Sequence, residues 1–229
     1  MLGIIGAMDV EVDALKARLD APVTQRFGGC DFVSGTLDGV AVTVARCSEG
    51  KVNAALCTQI MIDRYAPDGI INVGVGCSLQ KDIVIKNVVV ATEVCEHDMD
   101  ITPLGDPLGY INGIGMVKMP TDRTLSDALY AAAVDGGITV HRGCVASGDQ
   151  FIASPEKKEW LNATFGAVCG EMEGGAIGHV CTANGVPFAV LRSVSDGGDD
   201  DAAMDFPTFK TVAAAVSTDI ITRFLRAQK

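Results

Sequence analysis

Hydrophobic and polar residues follow two different periods along the chain. Uninterrupted apolar runs predict buried strands, and apolar residues spaced three or four apart predict helices with one buried face. The predicted strands span residues 2–7, 32–37, 40–45, 69–73, 83–91, 138–146 and 187–191. The predicted helices span residues 9–19, 50–65, 125–134, 155–165 and 174–183, and a last helix starts near Pro207.

This alternation of strands and helices predicts a single-domain α/β fold over residues 1–229. We expect a three-layer sandwich with a mixed, mainly parallel central sheet. A hairpin around Asp38-Gly39 supplies the antiparallel part of that sheet. Residues 102–120 are rich in glycine and proline and predict a long loop, of the kind that covers a site or contacts another subunit.

Composition and charge narrow the classes of partner. The formal net charge of −11 argues against nucleic acids and anionic membrane surfaces. No apolar run reaches the roughly 18 residues that a membrane-spanning helix needs, and the acidic N-terminal segment lacks the layout of a signal peptide. The 8 cysteines are scattered without a CxxC pair, which indicates reduced thiols and a cytoplasmic location. The 3 histidines lack metal-ligand spacing, so we expect no metal site and no cofactor.

Candidate chemistry lies where polar residues follow predicted strands. Glu11 follows the first strand, and Asp196 follows an apolar strand whose end also carries Arg192 and Ser195. Glu173 stands just before a helix, where the helix dipole alone would favour an acid. Ligands of open α/β sheets bind beyond the carboxyl ends of the strands, so these acids predict one pocket.

The segment Gly74-Val75-Gly76 is an incomplete dinucleotide fingerprint. Leu79 stands where a third glycine belongs, which makes a nicotinamide-dependent dehydrogenase the least favoured function.

Seven segments resemble one enzyme family and occur in its order between residues 3 and 206. They are GIIGAMDVEV, GKVNAA, INVG, HDMDIT, SGDQFI, GEMEGGAIGHVC and PFAVLRSVSD. The chain resembles the 5′-methylthioadenosine/S-adenosylhomocysteine nucleosidases of the nucleoside phosphorylase superfamily. The resemblance implies a nucleoside phosphorylase-like fold and hydrolysis of the N-glycosidic bond of an adenosine 5′-thioether.

The resemblance also implies roles for particular residues. Asp196 would protonate adenine N7 while Ser195 holds its side chain. Glu11, helped by Arg192, would orient and deprotonate the attacking water. Glu173 would bind the ribose hydroxyls.

Apolar residues would complete the site. Met172 would pack along the sugar and Phe151 on adenine, while the backbone of Ile152 reads the Watson-Crick edge of the base. Phe206 would close over the thioether end. Ile101 and Leu104 match positions that a partner subunit contributes, which implies a homodimer.

Four positions depart from the usual pattern of the family, namely Glu49, Val75, Cys77 and Gly175. Glu49 replaces an isoleucine at the apolar thioether end, where it either pairs with the ammonium of a homocysteine tail or turns outward toward Lys51. Val75 removes a possible hydroxyl near the attacking water. Gly175 replaces an alanine, which should loosen the start of its helix slightly.

Two other functions on the same fold compete with hydrolysis. A purine nucleoside phosphorylase must hold a phosphate dianion, which usually recruits Arg or Lys. The turn at Asp9 and Glu11 has no arginine before Arg18, and the Gly74 segment has no cation before Lys81, so water is the favoured nucleophile. The second alternative is a catalytically weak nucleoside-binding protein, consistent with Glu49 and Val75.

Overall fold

A mixed, ten-stranded sheet runs through the middle of the protein in a computed structural model that describes residues 1–228. The strands are β1 (Leu2–Gly6), β2 (Asp20–Phe27), β3 (Cys30–Leu37), β4 (Val40–Arg46), β5 (Gly69–Ser78), β6 (Val88–Glu96), β7 (Lys118–Pro120), β8 (Val140–Ser147), β9 (Ala167–Glu171) and β10 (Phe188–Asp196). The helices are α1 (Asp9–Lys16), α2 (Lys51–Tyr65), α3 (Arg123–Asp135), α4 (Pro155–Phe165), α5 (Gly174–Asn184) and α6 (Ala202–Arg226).

The sheet contains two parallel blocks. Strand β5 runs parallel to both β1 and β10, and β1 is also parallel to β4. Strand β8 runs parallel to β6 and β9. Antiparallel pairing joins β10 to β6, and the β2–β3–β4 meander extends the other edge. The carboxyl ends of β1, β5 and β10 therefore meet at one edge, where the sequence places candidate acids.

Helices cover both faces of the sheet, which confirms the three-layer architecture. On one face α1, α3 and α6 pack together and bury Leu15, Leu129 and Phe224. On the other face α2 packs on α5 and buries Met61 and Ile177. Because both faces of β5 are covered, all of its residues are buried, which explains its nearly continuous apolar sequence.

Several elements differ from the sequence prediction. Strand β5 continues to Ser78 instead of ending at Val73, because it also pairs with β10 and β9 beyond that residue. Strand β2 was not predicted, because it is an almost fully exposed edge strand without an apolar pattern. Strand β6 begins at Val88 rather than at residue 83. Helix α6 begins at Ala202, and Pro207 lies inside it.

The loop predicted over residues 102–120 contains short regular segments. Thr102–Leu104 forms one 3₁₀ turn, and β7 pairs with β6 at the end of the loop. Among the described residues, no helix is long and apolar enough to cross a membrane.

Gly175 allows α5 to begin in close contact with β8. Its N–H donates to Ser147 Oγ. A Cβ at this position would lie 2.8 Å from Ser147 Cβ and 2.9 Å from the carbonyl oxygen of Cys95. The glycine therefore lets the start of the helix approach the sheet closely, while the expected loosening of the helix start stays a prediction.

Candidate active site

A cavity of about 260 Å³ opens at the carboxyl ends of β1, β5, β9 and β10. Every residue that the sequence analysis assigned to a site within its own chain lines this one cavity. The set comprises Glu11, Glu49, Val75, Phe151, Ile152, Met172, Glu173, Arg192, Ser195, Asp196 and Phe206. Distant segments of the chain are thus brought together by the sheet topology.

Glu11 is buried at the turn between β1 and α1. Its Oε2 accepts hydrogen bonds from the backbone N–H groups of Ala7 (2.7 Å) and Met8 (2.9 Å), and its Oε1 accepts one from Val75 (3.0 Å). Burial raises the pKa of the Glu11 carboxyl, although Arg192 and these N–H groups oppose the shift. The carboxyl is therefore fixed in position and holds a proton more readily than an exposed glutamate does.

Arg192 extends from β10 and is fully buried beside the acids. Its Nη1 donates to the carbonyl oxygen of Val75 at 3.1 Å, and its Nη2 approaches Glu173 Oε2 at 3.4 Å. The same Nη2 pairs with Glu171 and Asn72. Within residues 1–228 the Nε atom of Arg192 has no hydrogen-bond partner. This arginine supplies the positive charge that offsets the buried carboxylates.

Gly74 leaves the space in which Glu11 and Arg192 meet. A Cβ at this position would lie 2.7 Å from Glu11 Oε1 and would overlap Arg192 Nη1. The glycine that the sequence analysis placed in a dinucleotide-like turn therefore lies within β5 and leaves room for the Glu11 carboxyl and the Arg192 guanidinium.

Glu171 is a site residue that the sequence analysis did not assign. Its Oε2 accepts hydrogen bonds from the N–H groups of Glu173 (2.9 Å) and Gly174 (2.7 Å) at the start of α5, and its Oε1 accepts one from Ser147. The helix-dipole role considered for Glu173 thus belongs to Glu171. The signal in the sequence was a second acid, three residues before the first residue of the small-residue helix.

Glu173 instead turns toward α2 and the cavity. Its Oε1 accepts a hydrogen bond from the Gly50 N–H at 3.0 Å. Burial, together with the nearby Glu171 and Glu11, raises the pKa of Glu173 from 4.5 to about 7 against the opposing charge of Arg192. Near neutral pH this carboxyl is therefore partly protonated.

Asp196 ends β10. Its Oδ2 accepts a hydrogen bond from Ser195 Oγ at 2.8 Å, and its Oδ1 accepts one from the Gly198 N–H at 3.0 Å. Burial raises the pKa of Asp196 and outweighs these two donors, and the nearby Asp199 and Asp205 raise it further. The side chain has the tendency to hold a proton that a general acid requires.

Aromatic side chains stand at the open side of the cavity. Phe151 is half exposed, and its ring meets that of Phe206 edge to face, with centroids 5.5 Å apart and planes at 77°. Ile152 is buried next to Phe151. Cys77 also lines the cavity, and burial raises the pKa of its thiol, which keeps it uncharged.

Glu49 lines the cavity while remaining exposed to solvent. Lys51 does not pair with it, because the Lys51 ammonium binds Glu96 at 3.0 Å and Asp98 at 2.6 Å. The outward pairing of Glu49 with Lys51 is therefore absent from this structure. Among residues 1–228, the Glu49 carboxylate forms no ion pair.

Ile101 and Leu104 do not line the cavity of their own chain. Leu104 is 81% exposed at the end of the 3₁₀ turn, and Ile101 directly precedes that turn. The same described residues contain no group of three or more His, Cys, Asp and Glu side chains arranged to hold a metal ion.

The chain is similar to known proteins over almost its whole length. The sequence model of the phosphorylase superfamily matches residues 1–226. The 5′-methylthioadenosine/S-adenosylhomocysteine nucleosidase of Shewanella loihica is 38% identical over 228 residues, which cover 98% of each chain.

Solved structures show the same similarity. The 5′-methylthioadenosine/S-adenosylhomocysteine nucleosidase from Neisseria meningitidis, in complex with methylthio-immucillin-A, superimposes with a TM-score of 0.95 at 32% identity, covering 99% of this chain and 98% of that chain. The futalosine hydrolase of Helicobacter pylori superimposes with a TM-score of 0.94 at 34% identity, covering 99% of this chain and 97% of that chain.

The raised pKa of Glu173 predicts a pH-dependent stability. A carboxyl whose pKa rises from 4.5 to about 7 on folding binds its proton more tightly in the native state. Its stabilising effect is complete below pH 4.5 and is lost as the pH rises to about 7. We expect the unfolding free energy of the wild type to fall by roughly 1 kcal/mol per pH unit in this window relative to Glu173→Gln.

Urea denaturation at several pH values would measure this difference. Glu159→Gln, which removes an exposed acid of α4, serves as the control and should parallel the wild type. Parallel curves for wild type and Glu173→Gln would contradict the prediction.

Proposed function

Because the chain belongs to the 5′-methylthioadenosine/S-adenosylhomocysteine nucleosidase family of the phosphorylase superfamily, we propose that it hydrolyses adenosine 5′-thioethers. The reaction breaks the N-glycosidic bond and releases adenine and the thioribose. The observation that carries the proposal is one cavity that contains Asp196, with its raised pKa, together with Glu11, Glu173 and Arg192.

Asp196 acts as the general acid at the base. Cleavage leaves the electron pair of the C1′–N9 bond on adenine, which is a poor leaving group as an anion. Asp196 donates its proton to N7, so that the base departs neutral. Ser195 and the Gly198 N–H stabilise the aspartate that remains after this transfer.

Carboxylates near the sugar stabilise the positive charge that develops on the ribose. The ribose becomes cationic as the bond breaks, and Glu173 binds its hydroxyls while adding negative charge nearby. Water attacks C1′ and gives its proton to Glu11, whose carboxyl is held by three backbone N–H groups. Arg192, which lines the same cavity, adds positive charge near the Glu11 carboxyl.

Charge in the cavity favours water over phosphate as the nucleophile. Arg192 is the single cationic residue among those that line the cavity, and Glu171 and Glu173 already engage it. A phosphate dianion would face these two carboxylates and Glu11. The repulsion makes a phosphorylase the weaker alternative.

We also propose that the protein is a homodimer in which Ile101 and Leu104 reach the partner's cavity. Leu104 is 81% exposed, and Val52 and Leu56, neighbours on one side of α2, are 78% and 45% exposed. Large apolar side chains left this accessible are typical of a surface that another subunit covers.

A cytoplasmic location is part of the proposal. The 8 cysteines are all free, and all are buried. A reducing compartment maintains thiols in this state.

Asp196→Asn should abolish most turnover without unfolding the protein. The amide cannot donate a comparable proton to adenine, so kcat should fall by about 10²- to 10⁴-fold or more. Free adenine from methylthioadenosine, adenosylhomocysteine and adenosine is measured with and without phosphate. Asp200→Asn, which changes an exposed acid of the same loop, should retain wild-type turnover.

Unchanged turnover in Asp196→Asn would refute the assigned acid. Phosphate-dependent formation of ribose 1-phosphate would identify a phosphorylase, and tight binding of adenosine analogues without adenine release would identify a binding protein.

Glu49→Ile should alter the choice between the two thioethers. The unpaired Glu49 carboxylate at the cavity attracts the ammonium of a homocysteine tail and disfavours the neutral methylthio group. We expect the ratio of kcat/KM for adenosylhomocysteine to that for methylthioadenosine to fall by roughly two- to fivefold, the value of one exposed ion pair. Glu49→Gln separates charge from size, and an unchanged ratio in both variants would contradict the pairing.

Leu104→Asp should weaken the dimer and the site together. An exposed leucine contributes little to the stability of an isolated chain, so the variant should fold normally. Sedimentation velocity should show dissociation at concentrations where the wild type is dimeric, accompanied by a higher KM. Val134→Asp, at a 52% exposed position of α3, is the control. A monomeric wild type with full activity would exclude the partner contribution.

A further inference from the structure

A cluster of charged side chains lies beside the cavity and joins three segments of its wall. We call it the Lys51 cluster, and its members are Lys51, Glu96, Asp98, Asp149 and His179. The Lys51 ammonium binds Asp98 Oδ1 at 2.6 Å and Glu96 Oε2 at 3.0 Å. His179 Nδ1, on α5, lies 2.9 Å from Glu96 Oε1. None of these residues lines the cavity.

The cluster meets the site at the start of α2. This helix has no capping side chain of its own and no acid in its first turn. Two carboxylates from elsewhere take its first N–H groups: the Gly50 N–H donates to Glu173 Oε1 at 3.0 Å, and the Lys51 N–H donates to Asp149 Oδ1 at 2.7 Å. Adjacent peptide groups therefore connect the glutamate assigned to the ribose with Asp149.

Asp98 holds the other side of Asp149. The Asp149 N–H donates to Asp98 Oδ2 at 2.9 Å, while the second oxygen of Asp98 binds the Lys51 ammonium. Asp149 is also followed by Phe151 and Ile152, which line the cavity. A shift of Asp149 would consequently affect the Gly50–Glu173 contact and the segment assigned to adenine at the same time.

The exposure of these residues to solvent indicates that their hydrogen bonds orient the site and contribute little to the stability of the hydrophobic core. Asp149 is exposed, and the side chains of Lys51 and Asp98 retain 19% and 20% of their accessible surface. Exposed ion pairs contribute little to global stability. Hydrogen bonds that orient a substrate-binding carboxylate can nevertheless change the rate strongly, because small displacements matter there.

We propose that Asp149 is a positioning residue, which aligns the Gly50 N–H with Glu173 and holds the start of segment 150–152 through Lys51 and Asp98. The proposal rests on the proposed function, since its effect is measured on adenine release. Asp149 acts through Glu173 and the adenine-facing segment and does not itself touch the substrate.

Steady-state kinetics of Asp149→Ala and Asp149→Asn with methylthioadenosine test the proposal. Loss of one hydrogen bond to a charged group should lower kcat/KM roughly 10- to 100-fold in Asp149→Ala, with changes in both kcat and KM. Asp149→Asn keeps an oxygen that accepts from the Lys51 N–H and should stay within about threefold of the wild type. Thermal unfolding should change little in either variant.

A double-mutant cycle with Glu173→Gln distinguishes positioning from a general structural effect. If Asp149 acts through Glu173, Asp149→Ala should cost much less in the Glu173→Gln background than in the wild type. Equal costs in the two backgrounds would overturn the proposal, and so would an Asp149→Ala variant with wild-type kinetics.

Asp98→Asn provides an independent variant if Asp149→Ala fails to fold. The amide nitrogen would face either the Lys51 ammonium or the Asp149 N–H, both of which are donors, so activity should fall in the same way. Wild-type kinetics in Asp98→Asn would overturn the proposal. A wild type that releases no adenine would contradict the proposed function, whereas an active wild type with unaffected variants contradicts the positioning role alone.

Discussion

The buried guanidinium of Arg192 is the charge on which the arrangement of the site depends. Removing an arginine or a carboxylate from water is costly unless each finds partners in the interior. Arg192 contacts Glu171 and Glu173 and lies near Glu11, and Gly74 leaves the room for this approach. One cation among three acids leaves an excess of negative charge. Burial, together with the neighbouring carboxylates, raises the pKa of Glu173, and the excess of negative charge suits a reaction in which a sugar becomes positive.

Helix N-termini supply the donors that make so many buried acids tolerable. Glu11 accepts from N–H groups at the start of α1, Glu171 from those at the start of α5, and Glu173 from the one that begins α2. Free N–H groups and the positive end of the helix dipole stabilise anions at such places. The sheet brings the three helix starts to one edge, so the architecture and the electrostatics of the site have the same origin.

The sequence allowed most central strands and the members of the site to be predicted, because most buried strands are apolar throughout and acids follow them directly. It did not show β9, a short central strand that ends at Glu171. It did not reveal β2, whose exposed residues have no apolar pattern. The sequence also did not show which contacts Glu171 and Glu173 make. The two acids are one residue apart, and only the direction of α5 determines which of them accepts hydrogen bonds from the start of that helix. The close contact at Gly175 depends on Ser147 and Cys95, which are distant in sequence, so the residues around Gly175 could not reveal it.

The backbone of Val75, and not its side chain, contacts the two charged groups at the centre of the site. Its N–H binds Glu11 and its carbonyl oxygen binds Arg192, so both contacts use atoms that every residue except proline possesses. The side chain at this position is therefore not required to hold either charged group in place. A different side chain here would adjust the fit of the substrate while the backbone contacts to both charged groups stay intact.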